Sequence, residues 1–198
     1  MEKKHMNSKD LLLCFLYSPG QKNIINEPIL GRTKLTKMMF LFEKEIYNQF
    51  FKDDIEISLP EFKPYYFGPF SNDVFNDLVF FQSIGMIQTN ETTIPISIAD
   101  KAENEEAFGE NDDEWEEANF GNEEKYELEY SLASNGSRYV KEKIWELLSE
   151  KQKEKLKLFK AQINKISLDA LLRYVYNKYP EETTESIIAD KYLSKSGD

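Results

Sequence analysis

Residues able to do chemistry are sparse in this chain. It has one histidine, His5 near the terminus, and one cysteine, Cys14, so a zinc site is not expected, and no usable Ser/His/Asp set is found. Gly31-Arg32-Thr33-Lys34 has the glycine and lysine of a phosphate loop but lacks the upstream glycine at the required spacing. Asn111-Asp112-Asp113-Glu114 lacks the spaced ligands and central glycine of a calcium-binding loop. Carboxylates crowd together only in residues 100–127, where no fixed pocket is expected to shift their pKa. There is no Gly-rich dinucleotide loop and no nucleophile elbow. The expectation is a non-enzyme with no catalytic residues, no metal and no cofactor.

Binding chemistry is better represented. Residues 62–71 read Phe-Lys-Pro-Tyr-Tyr-Phe-Gly-Pro-Phe-Ser, five aromatics around a Gly-Pro turn. So much apolar surface must pack into a fixed shape. Tyr65, Phe67 and Phe70 are expected in the core, with Lys63 and Tyr66 facing outward. Arg32, Lys34 and Lys37 read most simply as solvated cations at a helix start, or alternatively as an interaction edge. A helix over 71–84 offers Asn72, Asp73 and Asn76 but contains no lysine or arginine. Between Asp100 and Glu127, thirteen acidic residues face Lys101 and Lys125, which is the whole net charge of −11; elsewhere 23 acids balance 23 bases. Phe108, Trp115 and Phe120 punctuate those carboxylates. The segment reads as a solvating loop, as a docking arm for a basic protein through Trp115, or as a cover for the lysine-rich helix near 150–165.

These residues need a scaffold, and the hydrophobic periodicity supplies one. Ser8 is expected to cap a first helix to about Tyr17, which contains the longest apolar run, Leu11 to Tyr17. A membrane span needs roughly 20 apolar residues, and one buried cysteine suits a reducing compartment, so the expected location is cytoplasmic. Leu35, Met38, Met39, Phe42 and Ile46 form one face of a second helix. Val74, Phe75, Leu78 and Phe81 form the inner side of the third, capped by Ser71 and ended by Gly85 with positive φ. Met86-Ile87-Gln88 opens a strand, and Tyr126, Leu128, Tyr130 and Leu132 alternate as a half-buried second one. A fourth helix is expected to bury Tyr139, Val140, Ile144 and Leu148, a fifth Leu156, Phe159 and Ile163. Ser167 caps a sixth, which buries Leu168, Leu171, Leu172, Val175 and Tyr176. The order predicts a mainly α, winged helix-turn-helix-like domain over 8–98 and 126–190, with a small β-wing and C-terminal helices. The acidic insert, 99–125, would sit at the wing tip and 191–198 form a polar tail.

Gly31-Arg32-Thr33-Lys34-Leu35-Thr36-Lys37, then Tyr66-Phe67-Gly68-Pro69-Phe70-Ser71, then Gly85-Met86-Ile87 resemble the YwgA-like proteins of bacteria and archaea. That pattern has a "GRTKLQK" helix start, a "YGPFS" turn and a "GLI" strand entry. Leu171 to Pro180 is similar to the closing helix of that family. More distantly, the turn and following helix look like the SocA-like, or Panacea, domain, whose members neutralise toxins by direct binding. The resemblance implies a prokaryotic binding module with no catalytic set. The acidic insert departs from the pattern.

Together these readings predict a protein partner, a toxin, another defence component or a basic protein, with homodimerisation left open. The alternative is a winged-helix transcriptional regulator that binds DNA. Against it stand the cation-free third helix and the acidic wing, both repulsive to phosphates at contact.

Overall fold

A computed structural model of the chain describes residues 3–95 and 124–193. The fold is mainly helical, with a small number of strands. It is built around α1 (Ser8–Tyr17), in which every residue from Leu11 to Tyr17 is buried. A helix apolar on all sides must be enclosed on all sides, and the later elements wrap it. Its cap is Asn7 rather than Ser8: Asn7 accepts from the Asp10 N–H, and the Asp10 carboxylate accepts from the Asn7 N–H in return. Ser8 is free to donate to Asp77 Oδ2. Cys14 lies at 0% exposure, and burial pushes its thiol pKa up, so it behaves as an inert core residue.

Before α1, β1 (Lys4–Asn7) pairs in parallel with β3 (Ile55–Ser58), a pairing that periodicity does not signal in so short a stretch. The two-residue β2 (Ile29–Leu30) was likewise not expected. It adds a third strand to the ribbon of β4 (Ile87–Pro95) and β5 (Glu124–Leu132), in the order β2-β5-β4. The β4–β5 register runs from Ile87 opposite Leu132 to Pro95 opposite Glu124. Among the described side chains of β5, Tyr130, Ser131 and Leu132 are buried, whereas Leu128 is exposed, against the expected alternation.

The helix α2 (Arg32–Leu41) continues as a π-helical turn, Phe42–Tyr47, and a last turn, Asn48–Phe50. It too is buried on every side from Thr33 to Leu41. Gly31 caps it at φ +79°, and a Cβ there would run into the Glu127 carboxylate. Phe15 and Phe42 meet edge to face at 5.4 Å, and Phe42 meets Phe51 at 5.0 Å, forming the aromatic centre of the core.

The turn ahead of α3 (Asn72–Ser83) is closed by a pair of backbone bonds between Lys63 and Phe70. Ser71 Oγ then caps α3 by accepting from the Val74 N–H, as its position in the sequence requires. Gly85 ends the helix at φ +68°. The helix α4 (Ser134–Tyr139) continues through a π-helical turn, Val140–Ile144, and a 3₁₀ turn, Trp145–Leu147. Val140, Ile144 and Leu148 are buried as expected, but Tyr139 is exposed because the widened turn shifts the inner face. Then α5 (Glu150–Lys165) buries Leu156, Phe159 and Ile163, and α6 (Leu168–Lys178) buries Leu171, Leu172, Val175 and Tyr176. A short α7 (Ala189–Tyr192) brings Tyr192 back into the core, its ring 5.2 Å from that of Tyr176. Among the described residues no helix is long and apolar enough to cross a membrane.

Candidate binding face

The outward side of α3 exposes large apolar side chains. Ser71 fixes where the helix starts, and Val74, Asp77, Leu78 and Phe81 turn inward. The opposite side carries Asn72, Asp73 and Asn76 near its start and Val79, Phe80 and Ile84 toward its end. Val79 is 50%, Phe80 46% and Ile84 47% exposed, so among the described residues three large apolar side chains stay partly open to solvent on the helix and its C-cap. The signal was present in the sequence: α3 has more apolar residues than one inner stripe accommodates.

The cations at its edges come from neighbouring helices. The Arg32 guanidinium lies 4.7 Å from the centre of the half-buried Phe75 ring, and Lys9 Nζ lies 5.3 Å from that of Phe80. Lys9 also reaches to 3.6 Å from Asp77 Oδ1. Burial raises the Asp77 pKa, while Lys9 and the Ser8 hydroxyl pull it back down. Both cations are thus engaged with α3 itself rather than projected as a phosphate-binding row.

Of the other expected binding residues, Lys63 and Tyr66 do face outward on the turn. Tyr66 is stacked on Tyr65 at 4.9 Å, and Tyr65 on Phe70 at 5.1 Å. The Tyr66 carbonyl accepts from Ser186 Oγ and the Ile187 N–H, which fastens the turn to the C-terminal segment. Lys34 and Lys37 lie in the interior rather than in solvent. Lys34 Nζ donates to the Ile166 carbonyl at 2.7 Å, and Lys37 Nζ, 1% exposed as a residue, donates to the Pro69 carbonyl at 3.0 Å. Two helix faces that read as solvated are therefore covered, one by the α5–α6 junction and the other by the aromatic turn. Arg32 meets α3 at the Phe75 ring, and Asn72, Asp73 and Asn76 lie exposed on that helix; Trp115 lies outside the described residues.

No family model, curated protein or solved structure matches this chain.

Two further polar clusters brace the fold. Lys160, at 0% exposure, donates to the carbonyls of Leu16 at 3.1 Å, Ser18 at 2.7 Å and Glu27 at 2.6 Å. Burial nevertheless pushes its pKa down to about 7, with Glu27 opposing. Burial works to raise the Glu27 pKa, but donors from Asn164, Lys22 and Gln21 outweigh it and hold it low. On the other side, Glu45 Oε1 accepts from the Tyr174 hydroxyl at 2.8 Å and from Lys178 Nζ and the Tyr179 hydroxyl, both at 2.9 Å. This ties the π-helical turn after α2 to α6. The groups around Glu45 act as a clamp. Among the described residues no group of three or more His, Cys, Asp or Glu is placed to hold a metal ion.

Proposed function

We propose that the chain is a non-enzymatic, winged-helix-like module that binds a protein through the outward face of α3. In this reading α1, α2 and α3 are the helical unit and the β4–β5 ribbon is the wing. The observation that carries it is the exposure of Val79, Phe80 and Ile84 on a helix with no lysine or arginine. Interface cores favour such large apolar side chains and are depleted in charge, whereas a DNA-reading helix needs cations to position it on phosphates. The YwgA-like and more distant SocA-like resemblance points the same way, toward an antitoxin-like or defence-system component. The amides of Asn72 and Asn76 and the carboxylate of Asp73 would form the polar rim beside the apolar centre.

The test is capture from the native host by the tagged wild-type chain and by Phe80→Glu, in low and moderate salt. The expected result is one protein partner, retained in moderate salt and lost with the variant while the melting temperature stays unchanged. Retention of that partner by Phe80→Glu would remove α3 from the interface. Tight, salt-sensitive DNA binding in a mobility-shift assay would replace the protein reading altogether.

A further inference from the structure

An open cleft of about 500 Å³ lies where α4 leaves the ribbon, with no α3 residue in its lining. Its size is within the range of small-molecule sites. Ser134, Ser137, Arg138 and Lys141 line it from α4 and the π-helical turn, Gln88 lines it from β4, and Asn26 from the loop between α1 and β2. The helical residues recur at the three- and four-residue spacing that puts them on one stripe. The stripe is fixed against the ribbon. The Ala133 N–H donates to the Met86 carbonyl at 3.0 Å, and a Cβ on Gly136 would run into that same oxygen, so only glycine allows so close an approach. Asn26, at φ +60°, donates from its backbone to the Tyr17 carbonyl and from Nδ2 to Ser137 Oγ at 2.9 Å, which locks the loop wall to the helix.

Two observations on this cleft are not used up by the fold. Arg138 and Lys141 form no ion pair among the described residues, although both are cations on one wall. Asn26 Oδ1 is buried there with no hydrogen-bond partner. Ser137 Oγ can accept or donate, so one polar atom of the amide is left to be met in either orientation. Glu142 on the wall disfavours a second anionic group beside the one that the cations hold, and offers an acceptor. We infer that the cleft binds a small phosphomonoester with a hydroxyl-bearing body. Arg138 and Lys141 hold the phosphate with the Ser134 hydroxyl, while Glu142 receives a hydroxyl donor. This site is separate from the α3 face and does not depend on the protein-binding reading.

Calorimetric titration of the full chain at constant ionic strength tests it, with inorganic phosphate, glucose 6-phosphate, glucose and a short single-stranded oligonucleotide as probes. Glucose 6-phosphate is expected to bind saturably, phosphate about tenfold more weakly, and glucose not measurably. Arg138→Gln/Lys141→Gln is expected to weaken the phosphorylated probes at least about tenfold, with Arg173→Gln on α6 unchanged as the control for loss of charge alone. Both cations of the double variant are exposed, so its circular dichroism and melting temperature should match the wild type. Saturable binding of neither phosphorylated probe, or equal binding by the double variant, overturns the inference. Phosphate binding as tightly as glucose 6-phosphate removes the hydroxyl-bearing body. An oligonucleotide that competes more tightly than glucose 6-phosphate reassigns the phosphate to a nucleic-acid backbone and overturns the small-molecule reading.

Discussion

Replacing Lys160 with methionine keeps the volume of the side chain and removes its charge and its donors. The change leaves the carbonyls of Leu16, Ser18 and Glu27 without that partner, at about 1–3 kcal/mol for each buried acceptor. It also removes an ammonium that burial disfavours. Below pH 7 these effects oppose each other, and the variant should lose little stability. Burial lowers the Lys160 pKa from 10.5 to about 7, so between those values the unfolded chain binds more protons than the folded one. Stability contributed by this group therefore rises with pH across that window, by at most about 1.4 kcal/mol per pH unit. From pH 7 to 9.5 the difference between wild type and Lys160→Met should widen by about 3 kcal/mol in favour of the wild type. Urea unfolding of both proteins at several pH values measures it, and titration of all other groups cancels in the difference. A difference that stays flat or shrinks as pH rises would refute the reasoning, because it would mean that the three carbonyls keep the ammonium charged in spite of its burial.

Gly31→Ala should destabilise the fold by about 1–3 kcal/mol from the positive-φ backbone alone, and truncating Glu127 in the same chain should recover only the part due to the side-chain clash; denaturant midpoints separate the two. Ser149 caps α5 by accepting from the Gln152 N–H, so Ser149→Ala should cost about 1 kcal/mol in the same assay. Burial tends to raise the Glu45 pKa, but the bonds from Lys178, Tyr174 and Tyr179 hold it below the ordinary 4.5. Its stabilising share is complete above pH 4.5 and is lost as pH falls through the lowered value, so Glu45→Gln should flatten the acid limb of the stability profile.

Where an element presents one face to the core, its residues were readable from spacing. The Leu156, Phe159 and Ile163 stripe of α5 and the Leu171, Leu172, Val175 and Tyr176 face of α6 both match their periodicity. Ser71 and Gly85 were readable because helix ends have local chemical requirements. Periodicity misled in α2, where Lys34 and Lys37 seemed to mark solvent but reach carbonyls contributed by residues 132 and 32 positions along the chain. No local pattern encodes such a partner. Similarly, β1 and β2 are four and two residues long, and their pairing is decided by distant strands rather than by their own sequence. At the candidate site, the polar residues Asn72, Asp73 and Asn76 were readable as a helix surface. Val79, Phe80 and Ile84 were readable only as a surplus of apolar residues over one inner stripe; which of them face outward is decided by the packing of α3.

Photo-crosslinking in the native host tests the central claim most directly. A benzoylphenylalanine placed at Val79 is compared with one at Leu158 on α5, a site of similar exposure at 52%. The account predicts a single covalent protein adduct from position 79 and none from position 158. Adducts from position 158 with none from position 79, or crosslinks from 79 to DNA, would contradict it.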